Sequence, residues 1–381
     1  MKVALLGLLQ SGKSTILASL SGKPVPPVGS TSISEAIVSV PDERLDWLTE
    51  HYKPKKTTYA TVDCLDLPGF NFTDEHGRAA ARRLINQIRT VDMLVLVLRA
   101  FENPAVPTYR NGVDPAKDLA ELRTELLLSD LELVSTRIER LGKQLAKPTK
   151  TQAHDKAELA LQKKLQQTIE KEKPISSAIE TEAEREMIKS LGFLTLKPMA
   201  VAVNVSEDEL DKKFDFTDVV DPTPIAFVSK GQPDNGAEPN GFRDNWCGVP
   251  VITICAKLEH ELTQLDAESR KEFMADLGLA ESATAKFVKS CYSAAGLISF
   301  LTVVSDELRA WPIKQGTTAL EAAGKVHSDI KRGFIRAETF SFEELKELGS
   351  EKALRAAGKI RLEGKDYIVQ DGDIINFRFN V

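Results

Sequence analysis

The first hundred residues alternate short apolar runs with amphipathic stretches. The run VALLGLL (3–9) is followed by a helical pattern from Lys13. The runs TYATVDCLDL (58–67) and MLVLVLRAF (93–101) are separated by an amphipathic stretch at about 79–89. Apolar strands that alternate with helices predict an α/β sheet. Because MLVLVLR is apolar almost throughout, we predict a central strand that is buried on both faces.

From about residue 118 the pattern becomes that of long helices. Apolar residues recur at alternating spacings of three and four, as in the seam of a coiled coil, and then at four-residue steps. The two sets are Leu127, Leu131, Val134, Ile138, Leu141 and Leu145, and Ala157, Leu161, Leu165 and Ile169. Because a break at 147–150 separates the sets, we predict two helices folded back as an antiparallel hairpin, and a third helix at about 177–191. One long surface helix with a linker is the alternative, since Pro148 and its neighbouring lysines are also linker residues.

The α/β pattern then resumes, so the helical segment is predicted to be an insertion in one sheet domain. Three further apolar runs are PMAVAVN (198–204), IAFVS (225–229) and VPVITICAK (249–257). The stretch at 230–248 is rich in Gly, Pro, Asn and Asp, which predicts a long surface loop. After a helical stretch that ends near Gly296, we predict a compact mixed segment. Its elements are a short helix TTALEAAG, a strand FIRAETF, a helix EELKEL and two closing strands, DYIVQ and IINFRFNV, joined by a turn at DGD.

Composition narrows the class of protein. A chain of 381 residues with 42% hydrophobic and 28% charged residues is typical of a water-soluble protein of two or three domains. The net charge of -6 gives no overall attraction to nucleic acid. The apolar start is short for a signal peptide, and no run approaches the roughly 18 apolar residues of a membrane span. The scattered cysteines contain no CxxC pair, which indicates reduced thiols and a cytoplasmic protein without membrane attachment. They are Cys64, Cys247, Cys255 and Cys291.

The segment GLLQSGKST (7–15) matches the phosphate-binding loop Gly-x4-Gly-Lys-Ser, with a predicted strand before it and a helix after it. In such a loop, backbone N–H groups and the helix dipole meet phosphate oxygens. We predict that Lys13 reaches the β and γ phosphates and that the Ser14 hydroxyl binds Mg2+. The predicted nucleotide contacts in this loop are Leu9, Gln10, Ser11, Gly12, Lys13, Ser14 and Thr15.

A second element, Asp66-Leu67-Pro68-Gly69, ends the strand TVDCLDL. In P-loop proteins a carboxylate at this place holds Mg2+, usually through water, and the glycine N–H contacts the γ-phosphate. Asp66 is therefore a predicted metal residue, and Gly69 joins Lys13 as a predicted catalytic residue. Between the two motifs, Ser30, Thr31 or Ser32 is predicted to supply a second hydroxyl to Mg2+, although a serine-rich loop is also ordinary.

The residue after Gly69 is Phe70, where Ras-like proteins carry the glutamine that orients water. A phenyl ring makes no such hydrogen bond, so hydrolysis is predicted to be slow or to use another group. His76 is the nearest imidazole in the sequence. We interpret it as a solvated histidine rather than as the group that positions water.

The base-recognition loop is predicted after the strand PMAVAVN. GTPases carry Asn-Lys-x-Asp there, with the Asp accepting hydrogen bonds from guanine, whereas this chain has Asn204, Val205 and Glu207. A second loop, Cys255-Ala256-Lys257, stands where such sites usually have Ser-Ala-Lys. These changes indicate that the specific guanine contact is lost. The predicted base contacts are Asn204, Val205, Glu207, Cys255, Ala256 and Lys257.

These motifs resemble the YchF branch of the Obg-like P-loop ATPases. The resemblance rests on NxxE in place of NKxD, the inserted helical hairpin, VPDERLDWL, RAWPIKQGTTALEAAGKVHSDIKRGFIRAE and the ending AAGKIRLEGKDYIVQDGDIINFRFNV. It covers essentially the whole chain and is densest over the last part, which resembles the family's TGS domain, a β-grasp fold. It implies a preference for ATP over GTP, slow hydrolysis, and ribosomes or other translation and stress-response partners.

The chain departs from the family at three places in the catalytic region. Gln10-Ser11 stands where the family usually has Asn-Val, and the switch after Gly69 keeps only Gly77 of a glycine-rich stretch. The loop NPAVPTYRNG (103–112) lacks a histidine that has been suggested for catalysis in family members. Phosphate binding is compatible with these changes, whereas regulated turnover is the property that they affect.

The sequence thus predicts a Mg2+-dependent P-loop ATPase, a monomer, with possible ribosome or RNA contact through the helical and C-terminal domains. The basic residues offered for that contact are Lys325, Lys331, Arg332 and Arg336. The predicted domains are a nucleotide-binding domain in two parts (1–115 and 193–296), a helical coiled-coil domain (116–192) and a TGS domain (297–381). Two alternatives stay open at this point: a nucleotide-gated binding module that has lost hydrolysis, and a GTPase.

Overall fold

The structure is a computed structural model, which describes residues 1–27, 30, 32–110, 112–146, 151–216, 245–246, 249–304 and 306–380. The chain forms two compact units. The first unit comprises Met1–Ala36 and Asp63–Phe287, and the second comprises Ile37–Val62 and Val288–Val381.

The described strands and helices are interspersed along the chain, and those at 34–39, 43–52 and 297–304 were not predicted from the sequence pattern. The strands are β1 (Lys2–Leu6), β2 (Ser34–Ser39), β3 (Lys56–Thr58), β4 (Thr61–Asp66), β5 (Met93–Arg99), β6 (Met199–Asn204), β7 (Asn245–Trp246), β8 (Val249–Ile254), β9 (Leu297–Val304), β10 (Glu307–Lys314), β11 (Phe334–Ser341), β12 (Arg361–Glu363) and β13 (Asp373–Phe379). The α-helices are α1 (Lys13–Ser21), α2 (Glu43–Tyr52), α3 (Glu75–Gln87), α4 (Pro115–Leu145), α5 (Gln152–Glu170), α6 (Glu182–Lys189), α7 (Ala256–Thr263), α8 (Ala267–Asp276), α9 (Ala283–Ala294), α10 (Ala319–Val326), α11 (Ser328–Arg332), α12 (Phe342–Leu348) and α13 (Glu351–Ala356).

The first sheet confirms the predicted α/β architecture. Its described strands lie in the order β2-β4-β1-β5-β6-β8-β7. Strands β4, β1, β5, β6 and β8 run parallel to their neighbours in this order. Every residue of β5 is buried, as predicted for MLVLVLR, and so is every residue of β6. Because parallel strands end at the same edge of a sheet, the loops after β1, β4, β6 and β8 come together there.

The helical insertion is confirmed as a hairpin of α4 and α5. Val134 of α4 packs in one apolar cluster with Leu161 and Leu165 of α5. Arg137 donates two hydrogen bonds to Glu158, at 2.6 and 2.8 Å, which fixes the register of the two helices. Arg137 follows Val134 in α4, whereas its partner Glu158 precedes Leu161 in α5. The two helices are therefore antiparallel.

The helix predicted at about 177–191 is shorter than expected. It begins at Glu182 because Thr181 and Glu184 cap it, each side chain bonding to the other's backbone N–H. A short 3-10 helix at 175–178 precedes it. Similarly, Asp74 caps α3, which therefore begins at Glu75, before the predicted position 79.

A buried carboxylate midway along α4 joins this helix to the first sheet domain. Asp130 is fully buried and accepts a hydrogen bond from Arg89 at 2.7 Å. It also accepts hydrogen bonds from the backbone N–H groups of Leu194 and Thr195, at 3.1 and 2.9 Å. One side chain of α4 is thus hydrogen-bonded to residues that precede and follow the insertion in the sequence.

The second unit has a mixed sheet in the order β12-β11-β13-β9-β10-β3. β9 and β10 form an antiparallel hairpin, and β13 lies parallel to β9. Helix α10 covers one face, since Ala319, Ala322 and Ala323 share a core cluster with Phe300 and Phe377. The edge strand β3 comes from the segment at 37–62, an association that the sequence did not predict.

Two of the predicted strands are not among the described strands. The strand predicted at DYIVQ (366–370) is wrong, because this segment forms only an isolated bridge between Ile368 and Thr318. The backbone at this bridge bonds to residues 317 and 319, and the Asp373 carboxylate accepts hydrogen bonds from the backbone N–H of Gln370 and the hydroxyl of Tyr367. The strand predicted at 225–229 lies outside the described residues, as does most of the loop at 230–248.

Candidate nucleotide site

The phosphate loop connects β1 to α1, as predicted, and two of its glycines have steric reasons to be glycine. A Cβ on Gly7 would lie 2.4 Å from the carbonyl oxygen of Val97. Gly12 has a φ of 94°, and a Cβ there would lie 2.0 Å from Nδ2 of Asn204. Only glycine allows the loop to approach β5 and the loop after β6 this closely.

Lys13 lies inside this loop with 4% of its surface exposed. Its Nζ donates hydrogen bonds to the carbonyl oxygens of Gly7 and Leu8, each at 3.1 Å, and to the Ser11 hydroxyl at 3.3 Å. Burial lowers the pKa of Lys13 to about 8, and the nearby Asp66 carboxylate only partly opposes this. A buried ammonium with mainly neutral partners is a site for an anion.

Ser14 and Asp66 form the second part of the site. The Ser14 hydroxyl donates to Oδ2 of Asp66 at 2.5 Å. The other carboxylate oxygen, Oδ1, is buried and has no hydrogen-bond partner among the described residues. Burial raises the pKa of Asp66, while the Ser14 hydrogen bond and the Lys13 charge oppose the increase. A hydroxyl beside a buried carboxylate with a free oxygen is a donor set that fits Mg2+, which prefers oxygen ligands and keeps several waters.

The Asp66-Gly69 segment runs directly along the phosphate loop. The backbone N–H of Phe70 donates to Gly7 O at 3.0 Å, and that of Leu9 donates to Phe70 O at 3.1 Å. A Cβ on Gly69 would lie 2.8 Å from the Cα of Leu9. Gly69 is therefore placed against the loop, as its predicted role requires. The Phe70 ring is 1% exposed and packs 5.8 Å from the Phe72 ring, so it points into the core.

Asn204 joins three loops of the site. Its Nδ2 donates to the carbonyl oxygen of Ser11 at 3.1 Å, and its Oδ1 accepts from the backbone N–H of Ala256 at 3.0 Å. Since Asn204 is 4% exposed, these bonds are shielded from water. The phosphate loop and the two predicted base loops are thus held together by one side chain.

The remaining predicted base residues have different environments. Val205 is 2% exposed and belongs to the core of the first unit, so its side chain does not line an open base site. Glu207 is exposed at the start of a short 3-10 helix. Cys255 is buried before α7. Burial raises the pKa of its thiol, and the nearby Glu207 carboxylate acts in the same direction. Lys257 is exposed and lies 3.8 Å from Glu261.

The other predicted residues are less closely associated with the site. Thr15 is half-buried in the first turn of α1. Ser30 is exposed and shares a hydrogen bond with Ser32 at 3.1 Å, and Thr31 lies outside the described residues. The second hydroxyl ligand to Mg2+ therefore stays a prediction. His76 is exposed in the first turn of α3, which agrees with its interpretation as a solvated histidine.

Sequence reasoning missed two residues beside the site, Arg99 and Tyr109. Arg99 is 3% exposed and donates to the carbonyl oxygens of Phe101, Val106 and Pro107, so it shapes the loop after β5. The Tyr109 hydroxyl in that loop accepts a hydrogen bond from the Phe72 N–H at 3.0 Å. The signal for Arg99 was present, since an arginine ends an otherwise apolar strand.

The predicted basic residues of the C-terminal part are exposed, namely Lys325, Lys331, Arg332 and Arg336. Arg332 is partly engaged by Asp329 at 3.0 Å. None of the helices in the described ranges is both long enough and apolar enough to cross a membrane.

Comparison with known proteins agrees with this geometry. Residues 297–380 match the family model YchF-GTPase_C, described as "Protein of unknown function (DUF933)". The chain is 37% identical to Ribosome-binding ATPase YchF of Bacillus subtilis (strain 168), over 99% of this chain and 98% of that protein. It is 35% identical to Obg-like ATPase 1 of Oryza sativa subsp. japonica, over 100% of this chain and 92% of that protein. The structure of the Schizosaccharomyces pombe YchF GTPase matches with a TM-score of 0.78 at 29% identity, covering 99% of this chain and 97% of that chain. The chain therefore belongs to the YchF family of Obg-like P-loop ATPases.

Proposed function

We propose that this protein binds ATP with Mg2+, hydrolyses it slowly, and acts as a regulatory partner of the ribosome. The observation that carries the proposal is the cluster of Lys13, Ser14 and Asp66 at the phosphate loop. Asn204 bonds this loop to the predicted base-recognition loop at Ala256. A buried lysine, a hydroxyl and a carboxylate with a free oxygen together match the charges of a Mg2+-nucleotide.

Each residue of the cluster has a role that follows from its position. Lys13 neutralises the β and γ phosphates, which also compensates for its own burial. Backbone N–H groups of residues 9–15 hold the phosphate oxygens, and Gly69 contacts the γ-phosphate. Ser14, with the Ser30 or Thr31 hydroxyl, holds Mg2+, and Asp66 acts through a bound water. Mg2+ supplies the positive charge that stabilises the transferring phosphoryl group.

The preference for ATP is supported by the base-recognition loops. In the Asn-Lys-x-Asp motif of GTPases, the lysine stem packs on the base. Val205 replaces that lysine here and lies in the core. Glu207 is a longer carboxylate than the aspartate that accepts both guanine donors, and it is exposed. The backbone at Asn204 and Val205, with Glu207, frames adenine, and Cys255, Ala256 and Lys257 form the last loop of the nucleotide site. The names of the relatives differ here, since the Bacillus subtilis protein is called an ATPase and the Schizosaccharomyces pombe protein a GTPase.

Slow turnover is supported by the residue that follows Gly69. The Phe70 ring is buried against the core and makes no hydrogen bond to water. His76, the nearest imidazole in sequence, is exposed. The same observation favours the second candidate function, a nucleotide-gated binding module in which ATP is a structural ligand.

The proposed partner and domain organisation rest on the family to which the chain belongs. The Bacillus subtilis relative is named as ribosome-binding, and the exposed basic residues of the C-terminal part suit a polyanionic partner. We propose a cytoplasmic monomer with the domain boundaries predicted from the sequence, 1–115 with 193–296, 116–192 and 297–381, the last being a TGS domain.

The first experiment compares nucleotides on purified protein with Mg2+. Equilibrium affinity and single-turnover hydrolysis are measured for ATP and GTP, with Lys13→Ala as the background. We expect ATP to bind at least about tenfold more tightly than GTP, a difference of about 1.4 kcal/mol, and to be hydrolysed faster than in the variant. Tight binding of ATP without turnover would establish the binding module instead. Tighter binding of GTP would overturn the argument from Val205 and Glu207.

A further inference from the structure

Gln10 lies in the phosphate loop, and its buried side-chain amide oxygen Oε1 has no hydrogen-bond partner among the described residues. Its backbone has a φ of 59°, in the left-handed region that residues other than glycine seldom adopt. A constrained backbone thus holds a buried amide oxygen that has no hydrogen-bond partner among the described residues.

The neighbouring polar groups of the loop are already engaged. The Leu9 N–H is bonded to Phe70 O, and the Ser11 hydroxyl accepts from Lys13. The Ser14 hydroxyl is bonded to Asp66. Gln10 is therefore the residue of this loop whose amide oxygen makes no hydrogen bond to a described residue. Burying such an oxygen without a partner costs free energy.

The missing partner is best supplied by the nucleotide. A half-turn about χ3 of glutamine exchanges its oxygen and nitrogen, so this side chain can present N–H donors at the buried position. A hydrogen bond from an amide N–H to an ionised phosphate oxygen is charge-assisted and stronger than one between neutral groups. Phe70, by contrast, offers no polar group at the γ-phosphate.

We propose that the Gln10 amide donates a hydrogen bond to the terminal phosphoryl group of bound ATP and stabilises it during hydrolysis. In that step a water oxygen bonds to the γ-phosphorus, the bond to the β–γ bridging oxygen breaks, and ADP leaves with the electron pair. One proton of the water stays on the phosphate that is formed, and the other is released to solvent. Gln10 supplies part of the stabilisation that a switch glutamine would supply, and the inference rests on the proposed binding of ATP.

The test uses the full chain with Mg2+ and three variants. Gln10→Met keeps the length of the side chain and removes its hydrogen bonds, whereas Gln10→Asn keeps an amide. Gln87→Met, at the exposed end of α3, is the matched control for a glutamine-to-methionine change. Affinity for ATP and for ADP is measured on each protein, together with the single-turnover rate for ATP.

We expect Gln10→Met to lower the single-turnover rate by about 10- to 100-fold, as for the loss of one donor to a developing negative charge. ATP affinity should fall severalfold while ADP affinity stays within about twofold, because ADP lacks the phosphoryl group that Gln10 contacts. Gln10→Asn should recover part of the rate, and Gln87→Met should match the wild type.

Three outcomes would overturn the inference. In the first, Gln10→Met hydrolyses ATP within about threefold of the wild-type rate. In the second, it loses affinity for ATP and ADP equally, which would make the amide a structural part of the loop. In the third, Gln10→Met unfolds and a stable Gln10→Asn shows wild-type rate and affinity ratio. If the wild type itself turns over no faster than Lys13→Ala, the proposed hydrolysis fails, while the ratio of ATP to ADP affinities still decides whether Gln10 contacts the terminal phosphoryl group.

Discussion

Removing the buried charge of Lys13 should stabilise the nucleotide-free protein while abolishing ATP binding. The Lys13→Met change keeps the apolar stem and deletes the ammonium. The carbonyl groups that accept its hydrogen bonds keep other donors, since Gly7 O also accepts from the Phe70 N–H and Leu8 O from the Ser11 N–H. The variant therefore leaves neither of these two carbonyls without a hydrogen bond, and the main change is the loss of a desolvated charge.

The magnitude follows from the pKa of Lys13. Burial lowers it from the ordinary value of 10.5 to about 8. One unit of pKa is worth about 1.4 kcal/mol, so the protonated lysine costs the folded state about 3 kcal/mol at pH 7. Between pH 8 and 10.5 the folded protein has released this proton and the unfolded chain has not. The unfolded state then binds more protons, and the free energy of unfolding of the wild type rises with pH.

The assay is urea denaturation of nucleotide-free protein at pH 7 and pH 10, followed by circular dichroism. Lys13→Met should be more stable than the wild type by about 3 kcal/mol at pH 7 and by about 1 kcal/mol at pH 10. Lys271→Met, an exposed lysine on α8, is the matched control and should change stability by less than about 0.5 kcal/mol. A Lys13→Met protein that is less stable than the wild type at pH 7, or a gain that is equal at both pH values, would refute the reasoning.

Three other substitutions test separate parts of the structure. Gly12→Ala should reduce ATP affinity by more than about 100-fold, because the new Cβ would lie 2.0 Å from Asn204 Nδ2 at a φ of 94°; near-wild-type affinity by calorimetry would contradict this. Gln162 is fully buried in α5 and neither amide atom has a partner among the described residues, so Gln162→Leu should raise the free energy of urea unfolding by about 1 to 2 kcal/mol; a decrease would show that the amide is satisfied. Asp130→Ala leaves Arg89 without its carboxylate partner and should lower that free energy by about 3 kcal/mol, whereas a loss below about 1 kcal/mol would mean that water replaces the carboxylate.

Much of the architecture was predictable because its signals are local. The apolar runs at β5 and β6 indicate strands buried on both faces, and the spacing of leucines from Leu127 onward indicates the hairpin. The phosphate loop is also a local pattern, since its glycines, lysine and serine are contiguous. Each of these predictions depends on residues close together in the chain.

The predictions that failed involved competing side-chain contacts. The segment at 366–370 has an alternating pattern suited to a strand, yet it forms only an isolated bridge, and Asp373 accepts hydrogen bonds from Gln370 and Tyr367. The start of α6 was placed too early because apolar spacing does not show where a cap closes the helix, and Thr181 with Glu184 sets that point.

The sequence by itself determined the parallel strands β1, β4, β5, β6 and β8, the helical hairpin, the phosphate loop and the residues offered to nucleotide and metal. Only the tertiary structure decided that Asn204 bonds to Ser11, that Val205 lies in the core and that the buried Gln10 amide oxygen has no partner among the described residues. The segment at 37–62 joining the second unit was likewise decided by packing. The reason is physical: backbone patterns depend on neighbours along the chain, whereas burial and hydrogen-bond partners depend on residues that are distant in sequence and meet only in the folded protein.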